Sequence, residues 1–180
     1  MTRLFLKIFI IFILSLPVQS CRKTVVINSK QAVLFQVEYV NGAENRRHYG
    51  FFVDNQGKIL AYDNPADWAF PDKQLMINSL QLNSDLSKCR DTGLKVPEEE
   101  LLNHARVIKN ISASKVTAMK RSSPGSGSMK YICYQFNEGT GIYKGSLIKM
   151  EGDSTCENLN FYSKRVALWL RGIFEKIDKN

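Results

Sequence analysis

The sequence is poor in the side chains that hold metals. It has two histidines, His48 and His104, and neither has a second histidine or a cysteine at helical spacing. The H-E-x-x-H pattern is absent, and so is any C-x-x-C pair, which argues against zincins, zinc ribbons and thioredoxin-type redox sites. Asp54-x-Gln56-Gly57 lacks the further carboxylates of a calcium loop and reads as a turn. There is no G-x-S-x-G elbow. Ser112-Ala113-Ser114-Lys115 matches S-x-x-K, but its companion K-T-G and S-D-N motifs are missing. Gly139-x-Gly141-x-x-x-Gly145 would have to join a strand to a helix to cradle phosphate, whereas its flanks read as two strands of a hairpin. No catalytic residue, metal or cofactor is expected from these patterns. A nucleophile and base brought together by folding, such as Cys133 with His48, is the enzyme arrangement left open.

A membrane-spanning run is missing too. The longest apolar stretch, Ile8–Leu14 extended by Ser15 and Leu16, is about half of the ~20 residues a span needs. It follows Arg3 and Lys7 and ends at Pro17, the order of a secretory leader. Val18-Gln19-Ser20-Cys21 then resembles the lipobox of bacterial lipoproteins: a branched aliphatic and a small residue ahead of an acylated cysteine. The expectation is a signal peptide over residues 1–20, lipidation of Cys21 and a lipid-anchored tether over 21–31. Burying acyl chains is worth ~0.8 kcal/mol per methylene, so two or more chains hold a protein durably at a membrane.

The leader removes Arg3 and Lys7 and no acid, so the charge of +8 falls to +6 over the remaining 160 residues. A chain of that length buries a core without staples. Its basic balance suits an anionic envelope component, while nucleic acid is not expected for an exported chain without a recognition module. The cations singled out as anion-binding candidates are Arg46 and Arg47 on a turn, and Lys120 and Arg121 beside the Ser/Gly tract 122–128. Three cysteines follow Cys21. Cys89 and Cys156 lie in polar, loop-like sequence and are the expected disulfide, with a fully reduced chain as the alternative.

The remaining pattern, over 32–180, reads as one globular domain. Ala32–Val40, Tyr49–Val53 and Lys58–Tyr62 alternate as a β-meander, the last two joined by the tight loop 54–57. Residues 73–88 carry a moderate helical pattern. A second helix begins after Pro97 with three glutamates and an inward stripe of Leu101, Leu102, Ala105, Ile108 and Ile111. Lys130–Asn137 and Ile142–Met150 form a hairpin. Val166, Trp169, Leu170, Ile173, Phe174 and Ile177 close the chain as an amphipathic helix. The expected fold is α+β: an antiparallel sheet of about five strands with two or three helices packed on one face.

The run Phe35-x-x-Glu38-Tyr39, then Gly50-Phe51-Phe52-Val53-Asp54-x-x-Gly57, resembles small lipoproteins of Bacteroidota-type bacteria. The end of the chain does so as well, through Tyr143-Lys144, Leu147, Gly152-Asp153, Asn158, Ser163 and Trp169-Leu170. The resemblance implies an envelope address and no catalytic residues. Surface-exported members often carry acids after the cysteine, where this chain has Arg22 and Lys23, so an outer-membrane position facing the periplasm is favoured. The function expected is a non-enzymatic, lipid-anchored module that binds an envelope protein or an anionic envelope component. The alternative is a periplasmic hydrolase or an accessory subunit of an envelope-processing assembly.

Overall fold

Val33–Asn41 is buried over its first six residues, and a strand buried on both sides must be covered on both. That requirement organises the computed structural model, which describes residues 27–42, 47–122 and 125–177. The leader, Cys21 and Arg46 lie outside the described residues. Nine strands form one antiparallel sheet: β1 (Val33–Asn41), β2 (Arg47–Asp54), β3 (Lys58–Asp63), β4 (Met76–Asn78), β5 (Arg90–Lys95), β6 (Lys120–Arg121), β7 (Ser128–Asn137), β8 (Ile142–Gly152) and β9 (Ser154–Glu157). Their order is β5-β3-β2-β1-β7-β8-β9-β6, and β4 pairs with the first half of β8. The helices are α1 (Ser79–Leu86), α2 (Glu98–Ala105), α3 (Ile108–Ser112) and α4 (Ser163–Ile177). The class is α+β, with more strands than the five expected. The extra ones, β4, β5, β6 and β9, are two to six residues long.

Both faces of the sheet are covered, which corrects the expectation of helices on one face. On the first face Phe35, Val37, Phe51, Val53, Tyr131, Cys133 and Ile148 pack under α2, α3 and α4 through Leu101, Ile111, Val166 and Leu170. On the second face Phe52, Tyr62, Ile132, Tyr134 and Tyr143 pack against Leu82 of α1 and Trp68 of the β3–β4 connection. The reason is visible in pairs such as Phe51–Phe52, where neighbouring side chains point to opposite sides of the sheet and both are buried. A register shift between Val33 and Phe35 turns Val33 onto the second face, away from the side it would share with Phe35 by alternation. The helix expected after Pro97 breaks at Arg106–Val107 into α2 and α3, with Val107 turned into the core.

Two ends of the sheet differ in what they carry. At one end the chain enters. Gln31 donates to the carbonyls of Tyr134 and Val33, at 2.7 and 2.9 Å, and Asn28 and Lys30 both bond Glu138 of the β7–β8 hairpin. The last residues of the expected tether are therefore fixed to the body. At the other end lie Arg90, Asp63, Arg47, Asn41, Ser128, Gly152 and Arg121, as the strand registers require. Among the described residues, no helix is long and apolar enough to cross a membrane.

Candidate functional site

The first residues of β2 and the last of β3 form the floor of a cleft of about 640 Å³ at the second of these ends. β5 stops its pairing at Arg90 opposite Ala61, so Tyr62 and Asp63 of β3 lack a strand neighbour on that side. α4 reaches the cleft only with its last turns, Phe174 and Ile177, which leaves the sheet uncovered between them and β5. Arg47 stands at the cleft with its guanidinium 5.4 Å from the ring centre of Tyr49, close enough for a cation–π contact. Tyr49 in turn stacks on Tyr39 at 4.6 Å and on Phe174 at 6.1 Å. Arg90 lines the opposite wall.

The charge in this cleft is unbalanced. Arg47 and Arg90 form no ion pair with a described carboxylate, although Asp63 lies in the same lining. Lys88, the third cation, is already engaged: its ammonium donates to the carbonyl of Asp67 at 2.6 Å and to buried Asp85 at 3.2 Å. Two guanidinium groups without described acidic partners fit a phosphate or carboxylate, which they can hold by paired N–H donors.

Behind the cleft, on the second face, lies a buried charged cluster. Glu38 is 2% exposed and accepts from Lys130 at 3.1 Å, while its other oxygen meets His48 Nε2 at 3.2 Å. Burial alone would raise its carboxyl, but the hydrogen bond to His48 and the charge and hydrogen bond of Lys130 bring it below the ordinary value. Next to it, Tyr134 donates to Gln36 at 2.5 Å and Gln36 donates to the hydroxyl of Tyr62 at 2.9 Å. Trp68 covers Tyr62 at 4.3 Å, and His48 contacts both Trp68 and Phe70. Gly50 is required here. A Cβ at that position would sit 2.0 Å from the carbonyl oxygen of Val37 and 2.7 Å from the Tyr62 hydroxyl. With both carboxylate oxygens occupied and its proton affinity lowered, Glu38 is an ion-pair centre rather than a general base.

The four candidate cations separate as follows. Arg47 belongs to the cleft, and Arg46 lies outside the described residues. Lys120 and Arg121 form β6, at the same end of the sheet but five strand spacings from β2, ~24 Å along the sheet. They do not share a site with Arg47. Sequence reading missed Arg90, whose place depends on the pairing of Ala61 with a residue far along the chain. It also missed Glu38, although an acid flanked by Val37 and Tyr39 in a largely apolar strand is a visible signal.

The expected Cys89–Cys156 bridge is corrected: both are free thiols, as is Cys133. Cys89 precedes β5 and Cys156 lies on β9, six strand spacings or ~29 Å apart along the sheet, whereas a disulfide brings Cα atoms within about 7 Å. Cys133 and His48 occupy opposite faces of the sheet, so they make no nucleophile–base pair. Burial pushes the Cys133 thiol up to about 12, away from reactivity. Among the described residues, no three His, Cys, Asp or Glu side chains gather as a metal site would need. Compared with protein-family models, curated proteins and solved structures, the chain has no match, and the functional reading rests on the cleft itself.

Proposed function

We propose that this chain is a lipid-anchored protein of the bacterial envelope that works as a binding module, holding an anionic group of a partner protein or envelope component in the cleft between Arg47 and Arg90. The observation that carries the reading is the pairing of two arginines, without acidic partners among the described residues, across a cleft of about 640 Å³. The placement of the cleft agrees with a tethered module. β1 is nine residues long, so the cleft lies ~30 Å along the sheet from the point where the chain enters. An anchor at Cys21 would hold the entry end near the membrane and leave the cleft facing away from it.

The test is photo-cross-linking in living cells with a benzophenone amino acid at position 63, exposed in the cleft lining, and at exposed position 80 as a control. A defined adduct from position 63, absent from position 80 and lost on Arg47→Glu or Arg90→Glu, is the expected result. The same adducts from both positions, or an adduct indifferent to Arg47→Glu, would remove the cleft from the function. Cys21→Ala is expected to release the protein from the membrane fraction without unfolding it. Retention of that variant in membranes would refute the anchor.

A further inference from the structure

The described residues include seven strongly exposed large apolar side chains, and four of them lie together where β9 runs into α4. Leu159 is 65% exposed, Phe161 90% and Leu168 56%, and Val116 bridges Asn158 beside them. Side chains of this size are seldom left so open next to one another unless something covers them. Phe161 lies in the turn just before α4, and exposed Lys164, Arg165 and Leu168 follow on the first turns of that helix, Lys164 and Leu168 four residues apart on one face. Lys115, hydrogen-bonded through its carbonyl to Leu159, adds a cation at the rim. Lys115, Lys164 and Arg165 form no ion pair with a described carboxylate. The nearby acids are committed instead: Glu151 to Arg171 and Lys149, and Glu157 to Lys149.

This surface adjoins the point where the chain enters. Ile27, the first described residue, lines a small cleft with Ile108 and Lys109 of α3. On the neighbouring residue of that helix, the carbonyl of Asn110 accepts from Asn160 at 3.2 Å, next to Phe161. One short helix, about 10 Å across, thus separates the chain entry from the apolar patch. Only five residues lie between Cys21 and Ile27, a reach of at most ~22 Å over six chain steps.

We infer that the Leu159–Phe161–Leu168 surface is a second membrane contact, which inserts its apolar side chains at the headgroup level of an anionic bilayer while Lys115, Lys164 and Arg165 pair with lipid phosphates. The occupant follows from the charge: cations without described carboxylate partners, Arg165 standing over the Tyr162 ring, around exposed apolar groups match an anionic lipid surface. The orientation it gives the domain rests on the tethered reading above. The contact turns a point anchor into two attachments and fixes which side of the domain meets the bilayer.

The experiment is hydroxyl-radical footprinting by mass spectrometry of the full chain reconstituted into phosphatidylcholine vesicles, with and without phosphatidylglycerol. Flotation of the same vesicles reports attachment. With anionic vesicles Phe161 and Leu168 should oxidise about fivefold more slowly than with neutral ones, since insertion removes them from water. Leu80, 81% exposed and on α1 at the other face, should not change. The charge-reversed Lys164→Glu/Arg165→Glu chain should float as before and lose the protection. If the wild-type chain floats while Phe161 oxidises equally in both vesicles, this contact is refuted and the anchor stands. If the chain does not float with anionic vesicles, both readings fall. Protection of Phe161 that appears without vesicles and grows with protein concentration would assign the surface to a second copy of the chain and overturn the membrane contact.

Discussion

His104 should make the protein acid-sensitive below pH 6.5. The side chain is 8% exposed on α2 and lies flat on Trp169, with ring centres 4.0 Å apart and planes 12° from parallel. Its Nδ1 is buried without a hydrogen-bond partner. Burial, together with the positive charge of Arg165 and against the opposing charge of Glu100, lowers its pKa from 6.5 to about 4. The folded state therefore resists a proton that the unfolded chain accepts. The associated stability is fully present above pH 6.5 and is lost as pH falls towards 4. A shift of this size amounts at pH 4.5 to about 2.5 kcal/mol, at 1.36 kcal/mol per pKa unit. The assay is urea unfolding, followed by Trp fluorescence, of wild type and His104→Phe at pH 7.5 and 4.5. Phenylalanine keeps the stack on Trp169 and removes the proton site, so wild type should lose about 2.5 kcal/mol more than the variant between the two pH values. The depressed carboxylates, Glu38 and Glu151, contribute above their ordinary value of 4.5 and fail only below it, equally in both proteins. Parallel losses in wild type and His104→Phe would refute the reasoning.

Two further outcomes follow from the buried groups. Glu38→Gln should cost on the order of 3 kcal/mol, because it leaves His48 and Lys130 facing a neutral amide in a largely buried setting; unchanged urea midpoints would show that the ion pair contributes nothing net. Cys89, Cys133 and Cys156 should all titrate with a thiol reagent after unfolding in the absence of reductant. In the native protein Cys133 should react far more slowly than Cys89, which is half-buried. A non-reducing gel shift abolished by Cys89→Ser would contradict the free-thiol arrangement.

The long strands were legible because each carries enough alternating or continuous apolar side chains to declare itself, as in Val33–Asn41 and Ser128–Asn137. β5, with the sequence RDTGLK, has no such pattern and is a strand only because β3 offers it an edge. The two residues of β6 and the three of β4 likewise depend on a neighbour far along the chain. The start of α1 was a subtler miss: Asn78 caps it by accepting from the N–H of Gln81, a signal present within the moderate helical pattern of residues 73–88. The two-sided cover of the sheet could have been read from Phe51–Phe52, which periodicity on one face does not allow. At the site, Arg47 was found as a turn cation from local sequence. Arg90 was not, since only long-range strand order sets it across the cleft.

The edges of the sheet bear on how densely this protein can be held together. One margin ends in β6, two residues long, with Lys120 and Arg121. The other ends in β5, which alternates Arg90, Asp91 and Lys95 with little apolar surface and is bent at Gly93, where φ is +74°. The eleven-residue β8 would be the most adhesive strand in the fold, but β4 pairs with Ile142–Lys144 and β9 with Lys149 and Met150, while Gly145 and Ile148 between them bond the backbone of Leu75 and Asn158. Among the described residues, no long, flat run of unsatisfied backbone is left for another copy to extend. Crowded side by side, such molecules can jostle without zipping into fibres, and a population at high local density remains a set of separate, individually oriented units.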